Sequence, residues 1–262
     1  MFKNLNGKKV ILGLIHLLPM PGTPFYKDGN VELMLEKAIK DAKALKNGGA
    51  DGGLLQSVDV IYGAEDDTDY ARVATLSMIG ARVRDAVGPD FKLGVQLMWN
   101  CITPSLAVAK AVGADFTRCS ALVGSTDSIY GKVEANPLKV MEYRKKIEAG
   151  GVAMISEVSG YHFKGEYNKG NLQNLAASSM RIGADAVEVY ANDFEMNERL
   201  VKDIKEAGDI PVILGGGTTV ENCKDRLRYA DGALVGSCFE GGNWGGNIIE
   251  SIVADYMKQL GQ

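Results

Sequence analysis

Apolar positions along the chain fall into two alternating patterns. Short runs rich in apolar and β-branched residues recur at 10–15, 53–58, 93–98, 116–120, 152–158, 186–190, 211–215 and 233–236, and each predicts a strand. Between them lie segments with helical spacing; in the one that begins at Val31, the residues Leu35, Ala38, Ile39, Ala42 and Leu45 share one face. Strands that alternate with helices imply a parallel sheet covered by its own crossovers. Eight such units in 262 residues predict an α/β fold of one domain, a single (β/α)8 TIM barrel over 1–262. No Pro/Ser-rich linker or low-complexity tract divides the chain. A doubly wound sheet usually binds its ligand early in the chain, whereas the glycine-rich signal here comes late.

A short repeat fits the same architecture. Gly49-Ala50-Asp51, Gly113-Ala114-Asp115 and Gly183-Ala184-Asp185 each end a helical segment before an apolar run, and Ala230-Asp231-Gly232 is a looser copy. The glycine suits the left-handed position that ends a helix, and the Asp is expected to hold the αβ turn by bonding local backbone amides.

Composition narrows the partners. With 46% hydrophobic residues and 29 Lys+Arg against 33 Asp+Glu, the chain reads as globular and slightly acidic, and it has no run of five basic residues. Neither nucleic acid nor an anionic membrane surface is expected. The four cysteines, Cys101, Cys119, Cys223 and Cys238, show no C-x-x-C or zinc spacing, which suits reduced thiols in a cytoplasmic protein. An apolar run near the start stops at Pro19, so neither a signal peptide nor a membrane span is expected.

Barrels of this kind carry their sites at the C-terminal ends of the strands, often with phosphate held by the loops after strands seven and eight. Both loops are glycine-rich here: Gly215-Gly216-Gly217-Thr218-Thr219, followed by a helix expected to open at about Val220, and Gly236-Ser237. Main-chain amides without side-chain cover can point at an anion, so Gly215, Gly216, Gly217, Gly236 and Ser237 are candidate phosphate ligands; the other reading is tight turns alone. As a dinucleotide fingerprint the segment fails, because it lacks the early strand and the downstream acid.

Strand alternation sorts the remaining candidates. Outward Leu93, Val95 and Leu97 leave Gln96 and Asn100 facing the cavity, and Gln56 is a further substrate-binding candidate. Outward Val187 and Val189 put Glu188 and Tyr190 inside, and Glu157 falls at the mouth of the fifth run. Glu157 and Glu188 read either as a catalytic acid/base pair or as a structural network with Arg118. His16, at the end of the first run, is either a proton-transfer group or a residue that orients the following Pro-rich loop. The segment 159–170, with His162 and Lys164, reads as a lid or as a solvated loop. The acidic stretch Glu65-Asp66-Asp67 with Asp69 is expected to cap a helix, with a Mg2+ site as a weaker alternative; otherwise no cofactor or metal is expected. Trp99 and Trp244 wall a pocket or belong to the core.

The segment Ile15-His16-Leu17-Leu18-Pro19-Met20-Pro21-Gly22-Thr23-Pro24-Phe25-Tyr26 resembles the opening motif of the BtpA family, and the two late glycine segments resemble that family's phosphate-loop strands. The resemblance spans nearly the whole chain. It implies a barrel with a phosphate-type site; some members are associated with photosystem I biogenesis and others with sugar-phosphate metabolism. The chain departs from the pattern at Ser156-Glu157-Val158, where basic residues are expected, and in the acidic loop after the second strand.

Two functions fit these residues. One is an enzyme that isomerises, epimerises or cleaves a small phosphorylated metabolite by proton transfer next to a carbonyl. A Schiff-base route is not expected, because no predicted strand run carries an inward lysine. The other is a barrel without catalysis that acts as an assembly factor for a larger complex. A phosphorylated small molecule and further copies of the chain are the expected partners.

Overall fold

Strand and helix alternate along the chain as their apolar spacing requires, and the strands close on themselves. The computed structural model describes residues 1–2, 5 and 7–262. In chain order the elements are β1 (Val10–His16), α1 (Asn30–Asn47), β2 (Gly52–Gln56), α2 (Tyr70–Val87), β3 (Lys92–Gln96), α3 (Ile102–Val112), β4 (Phe116–Cys119), β5 (Ser125–Ser128), β6 (Gly131–Glu134), α4 (Pro137–Lys146), β7 (Ala153–Ser159), α5 (Lys169–Ile182), β8 (Ala186–Val189), α6 (Phe194–Glu206), β9 (Val212–Leu214), α7 (Cys223–Arg226), β10 (Gly232–Val235) and α8 (Glu250–Leu260). The barrel runs β1-β10-β9-β8-β7-β4-β3-β2, all parallel, so the chain is an eight-stranded (β/α)8 barrel. All eight expected strands form.

The antiparallel hairpin β5-β6, inserted after β4, has no counterpart among the predicted elements. Its strands are short and mostly polar, and within them only Thr126 and Val133 are buried, so the sequence carries little periodic signal there. The helix expected to open at about Val220 begins only at Cys223 and is a single turn. The second strand ends at Gln56, ahead of its expected end; the Ser57 amide still bonds the Gln96 carbonyl (3.0 Å), and its Oγ accepts from the Met98 amide at 2.8 Å and from Arg72 Nη2 at 3.1 Å.

Alternation fills the barrel as expected. Val10, Leu12, Leu14, Leu54, Phe116, Ala153, Ile155, Ala186, Ile213 and Leu234 point inward and, with Phe2, form an apolar plug across the lower half. Phe116 fits because β3 carries Gly94 beside it; a Cβ there would sit 2.4 Å from the ring. The opposite strand faces join the helices in the larger core. Full burial of each Leu or Ile side chain is worth about 1.5–3 kcal/mol.

The repeated aspartates act otherwise than expected. Each reaches across to the adjacent strand rather than bonding its own turn. Asp51 accepts from the Ile11 amide (2.8 Å), Asp115 from Leu93 (3.0 Å), Asp185 from Met154 (2.9 Å) and Asp231 from Val212 (2.7 Å). The reason is geometric: the αβ turn delivers the carboxylate to the foot of one strand, where an amide near the start of the neighbouring strand points at it and needs an acceptor. The acidic loop divides its work in a similar way. Asp69 caps α2 through the Ala71 amide (2.7 Å), while Asp66 accepts from the Thr103 amide near the start of α3 (2.8 Å). The four cysteines are free. No helix among the described residues is long and apolar enough to cross a membrane.

The Asp185→Ala variant is expected to lose about 1–3 kcal/mol of unfolding free energy by leaving the buried Met154 amide without an acceptor. Urea denaturation of the two proteins would check it, and an unchanged midpoint would remove the cross-strand role.

Candidate active site

A cavity of about 500 Å3 opens at the C-terminal ends of the strands, directly above the apolar plug. Its walls come from β1, β2 and β4, from the loops after β3 and β7, and from the two glycine loops after β9 and β10. A second cavity of about 420 Å3 lies beside α5, lined by Lys164, Tyr167 and Leu172, and includes no histidine and no residue of the loops after β9 and β10.

The glycine loops present bare main chain to the cavity. Among the described residues, no acceptor takes the amide hydrogens of Gly216, Gly217, Thr218, Gly236 or Ser237. Gly216 (φ 149°) and Gly217 (φ 73°) occupy backbone regions that disfavour a side chain, and a Cβ on Gly217 would lie 2.8 Å from both Tyr190 and Arg226. Gly215 differs: its amide bonds the Val189 carbonyl at 2.9 Å, and its missing side chain makes room for Glu188, whose Oε1 would lie 2.1 Å from a Cβ. Of the five candidate phosphate ligands, four therefore keep their amides open and Gly215 does not.

Two histidines reach the cavity from opposite sides, each backed by a buried carboxylate. His16 ends β1, and its Nδ1 lies 2.7 Å from Glu240 Oε1; the other Glu240 oxygen accepts from the Gly245 amide at 3.1 Å. Trp244 packs on the His16 ring at 5.1 Å. His162, in the loop after β7, places its Nδ1 2.6 Å from Glu157 Oε2, and the edge of Trp99 meets its ring at 4.7 Å. With Nδ1 as the donor to each carboxylate, Nε2 of each ring is left as a proton acceptor.

Glu157 lies beneath this loop and is fully buried. Its Oε1 accepts from the His162 and Phe163 amides at 2.7 and 3.2 Å, so it shapes the loop as well as orienting the ring. Burial favours its neutral form, but His162, Arg118 and the amides outweigh this and hold it far below the usual carboxylate range, at about 2. Burial pushes His162 in the other direction, below the ordinary histidine value and against the pull of Glu157.

Arg118 sits on the cavity floor and gives both Nε (2.6 Å) and Nη2 to Glu188, with Nη2 also 3.4 Å from Glu157. One guanidinium thus serves two carboxylates. Burial first, and the Glu157 charge second, push Glu188 up to about 7 despite the guanidinium.

Gln56 and Gln96 stand in register on β2 and β3, beside His16 on β1; Gln56 lines the cavity, whereas Gln96, expected to face it, is buried next to Gln56 and does not line it. Gln56 Oε1 and both amide atoms of Gln96 are buried without a hydrogen-bond partner. Asn100 lies past the end of β3, where strand alternation no longer holds. Both ends of its amide serve Ala121: Oδ1 accepts from the amide at 2.8 Å and Nδ2 donates to the carbonyl at 3.3 Å. Tyr190, one residue beyond β8, stacks on Tyr161 at 4.1 Å, and Tyr161 rather than Tyr190 lines the cavity. Asp59 and Arg72 form a buried pair that also holds the Met20 amide (3.0 Å) and the Met98 carbonyl (2.7 Å), bracing three loops at the rim.

Residues 7–261 match the BtpA family. The chain belongs to that family. An uncharacterised protein of Archaeoglobus fulgidus is 31% identical over 242 residues, covering 90% of this chain and 93% of its own. The photosystem I biogenesis protein BtpA of Synechocystis is 27% identical over 96% of this chain and 86% of its own. Among solved structures, 3-hexulose-6-phosphate synthase superposes with a TM-score of 0.60 at 15% identity, covering 97% and 100% of the two chains. Thiamine phosphate pyrophosphorylase of Pyrococcus furiosus gives a TM-score of 0.58 at 16% identity, covering 98% of each. At these identities the structural likeness of this BtpA-family chain concerns the barrel fold.

The depressed Glu157 contributes stability above its unfolded value of about 4.5, which is lost as pH falls toward about 2. Melting curves of wild type and Glu157→Gln between pH 7 and 2.5 are expected to converge on the acid side. Parallel curves would mean that Glu157 titrates normally.

Proposed function

We propose that this barrel binds a small phosphorylated metabolite and catalyses proton transfer next to a carbonyl, as an isomerase, epimerase or lyase does. The observation that carries the reading is the facing of open amides by two histidine rings across one cavity. Doubly charged phosphate gains most from such amides, and Arg226, whose Nη1 would lie 2.8 Å from a Cβ on Gly217, adds a cation behind the loop. In this reading the phosphate is fixed by Gly216 to Thr218 and by Gly236 and Ser237, and the carbon skeleton extends over Arg118 toward β2.

His16 and His162 are the catalytic pair: one ring, neutral at Nε2, removes a proton from the carbon beside the carbonyl, while the other, entering the cycle protonated at Nε2, donates that proton to the carbonyl oxygen, giving an enediol that collapses with the roles reversed. Glu240 and Glu157 are positioning residues that fix the ring tautomers, and Arg118 with Glu188 forms the charged floor. Two neighbours that superpose on this barrel carry phosphate compounds in their names, which agrees with this reading. The Schiff-base alternative lacks its nucleophile. Lys92, the one lysine within the described barrel strands, sits at the foot of β3 against Asp115.

The name of the Synechocystis relative favours a second reading, an assembly factor, and Val60, Ile61 and Ile129 expose apolar surface near the hairpin. Calorimetry with inorganic phosphate and turnover on a panel of phosphosugars separate the two. Phosphate uptake is expected in the wild type and lost in Gly217→Val. His16→Ala and His162→Ala are each expected to lower turnover by about 10^2–10^4-fold while keeping phosphate binding. No phosphate uptake, or turnover indifferent to both histidines, would overturn the enzyme reading.

A further inference from the structure

The floor of the same cavity carries a specification of the ligand's other end. We infer that the ligand is a phosphoester whose far end is uncharged and bears neighbouring hydroxyl groups, read by Gln56 and Gln96; this rests on the phosphate reading above.

His16, Gln56 and Gln96 occupy matching positions on three adjacent strands; His16 and Gln56 line the cavity, and Gln96 stands beside Gln56 in the same row without itself lining it. Adjacent strands are spaced by about 4.8 Å, a span that hydroxyls on neighbouring carbons can bridge. Gln96 is 1% exposed and Gln56 7%, yet Gln56 Oε1 and Gln96 Oε1 and Nε2 have no partner. Each unsatisfied buried group costs about 1–3 kcal/mol. A fold without use for these amides is better served by apolar side chains, as the rows below show with Leu14 and Leu54. A hydroxyl both donates and accepts, so it answers either end of a glutamine amide.

Charge excludes the alternative of a second anionic group. Arg118 is the one Lys or Arg lining the cavity among the described residues, and Glu188 and Glu157 already hold it. Its single positive charge is already committed to two carboxyl groups, so a ligand carboxylate brought to the floor would be desolvated with no free cation to meet it. The phosphate end differs, since the Arg226 guanidinium stands behind Gly217. The cavity is therefore polarised, with anion selectivity at the β9 and β10 loops and neutral hydrogen bonding at β2 and β3.

Calorimetry of the full chain with inorganic phosphate, ribose 5-phosphate and 2-phosphoglycolate tests this, together with Gln56→Met and Gln96→Met. Ribose 5-phosphate is expected to bind at least about tenfold tighter than phosphate, and 2-phosphoglycolate no tighter than phosphate. Both variants are expected to erase the advantage of the sugar, retain phosphate affinity, and melt without ligand at or above the wild-type temperature, because an unsatisfied amide has been removed. A wild type that prefers 2-phosphoglycolate, or variants that keep the sugar's advantage, would overturn the inference. Phosphate binding with no gain from the sugar would sink this inference alone. Failure of every phosphorylated probe to bind would sink the phosphate reading and this one with it.

Discussion

Two carboxylates enter the middle of this barrel and one guanidinium meets them. Arg118 must be charged for either glutamate to be tolerated in a region closed below by the apolar plug, and its bidentate hold on Glu188 leaves only a longer reach to Glu157. Glu157 makes up the difference from elsewhere. Its remaining acceptor capacity goes to the His162 ring and two loop amides, so the need to satisfy a buried charge is what folds the loop after β7 over the cavity. The lower scaffold, the floor of the cavity and the placement of one histidine therefore depend on the same ion cluster.

The opposite wall repeats the device with different parts. Glu240 comes from the turn after β10, holds the Gly245 amide and orients His16. In both cases a carboxylate that never reaches solvent positions a ring that does line the cavity, while the main chain between the two walls is left bare by Gly216, Gly217 and Gly236. Titratable side chains and bare main chain are thus separated: histidines on the flanks, open amides between them.

Much of this was legible in the residues. The eight apolar runs and their spacing fixed the barrel, and alternation placed Gln96, Glu157 and Glu188 inside it, because strand geometry has a strict period of two. Where strands end, that rule ends: Asn100 and Tyr190 lie past β3 and β8, and loop geometry sends them to Ala121 and Tyr161 instead. Glu240 carries no signal of its own: nothing in Cys238-Phe239-Glu240-Gly241 marks a buried acid, and its partner is 224 residues away. His162 stood only five positions from Glu157, yet their pairing depends on a tight loop that sequence spacing alone does not specify. Gly215 looked like its neighbours, but its amide belongs to the sheet and its missing side chain to Glu188.

The aspartate bonds at the foot of the barrel join strands two by two: β1 with β2, β3 with β4, β7 with β8, and β9 with β10. The scaffold is stapled as four modules, and the joints between modules lack this fastening. The additional hairpin β5-β6 enters at one such joint, between β4 and β7. New segments can thus be spliced into the chain at a seam without prising apart a fastened pair.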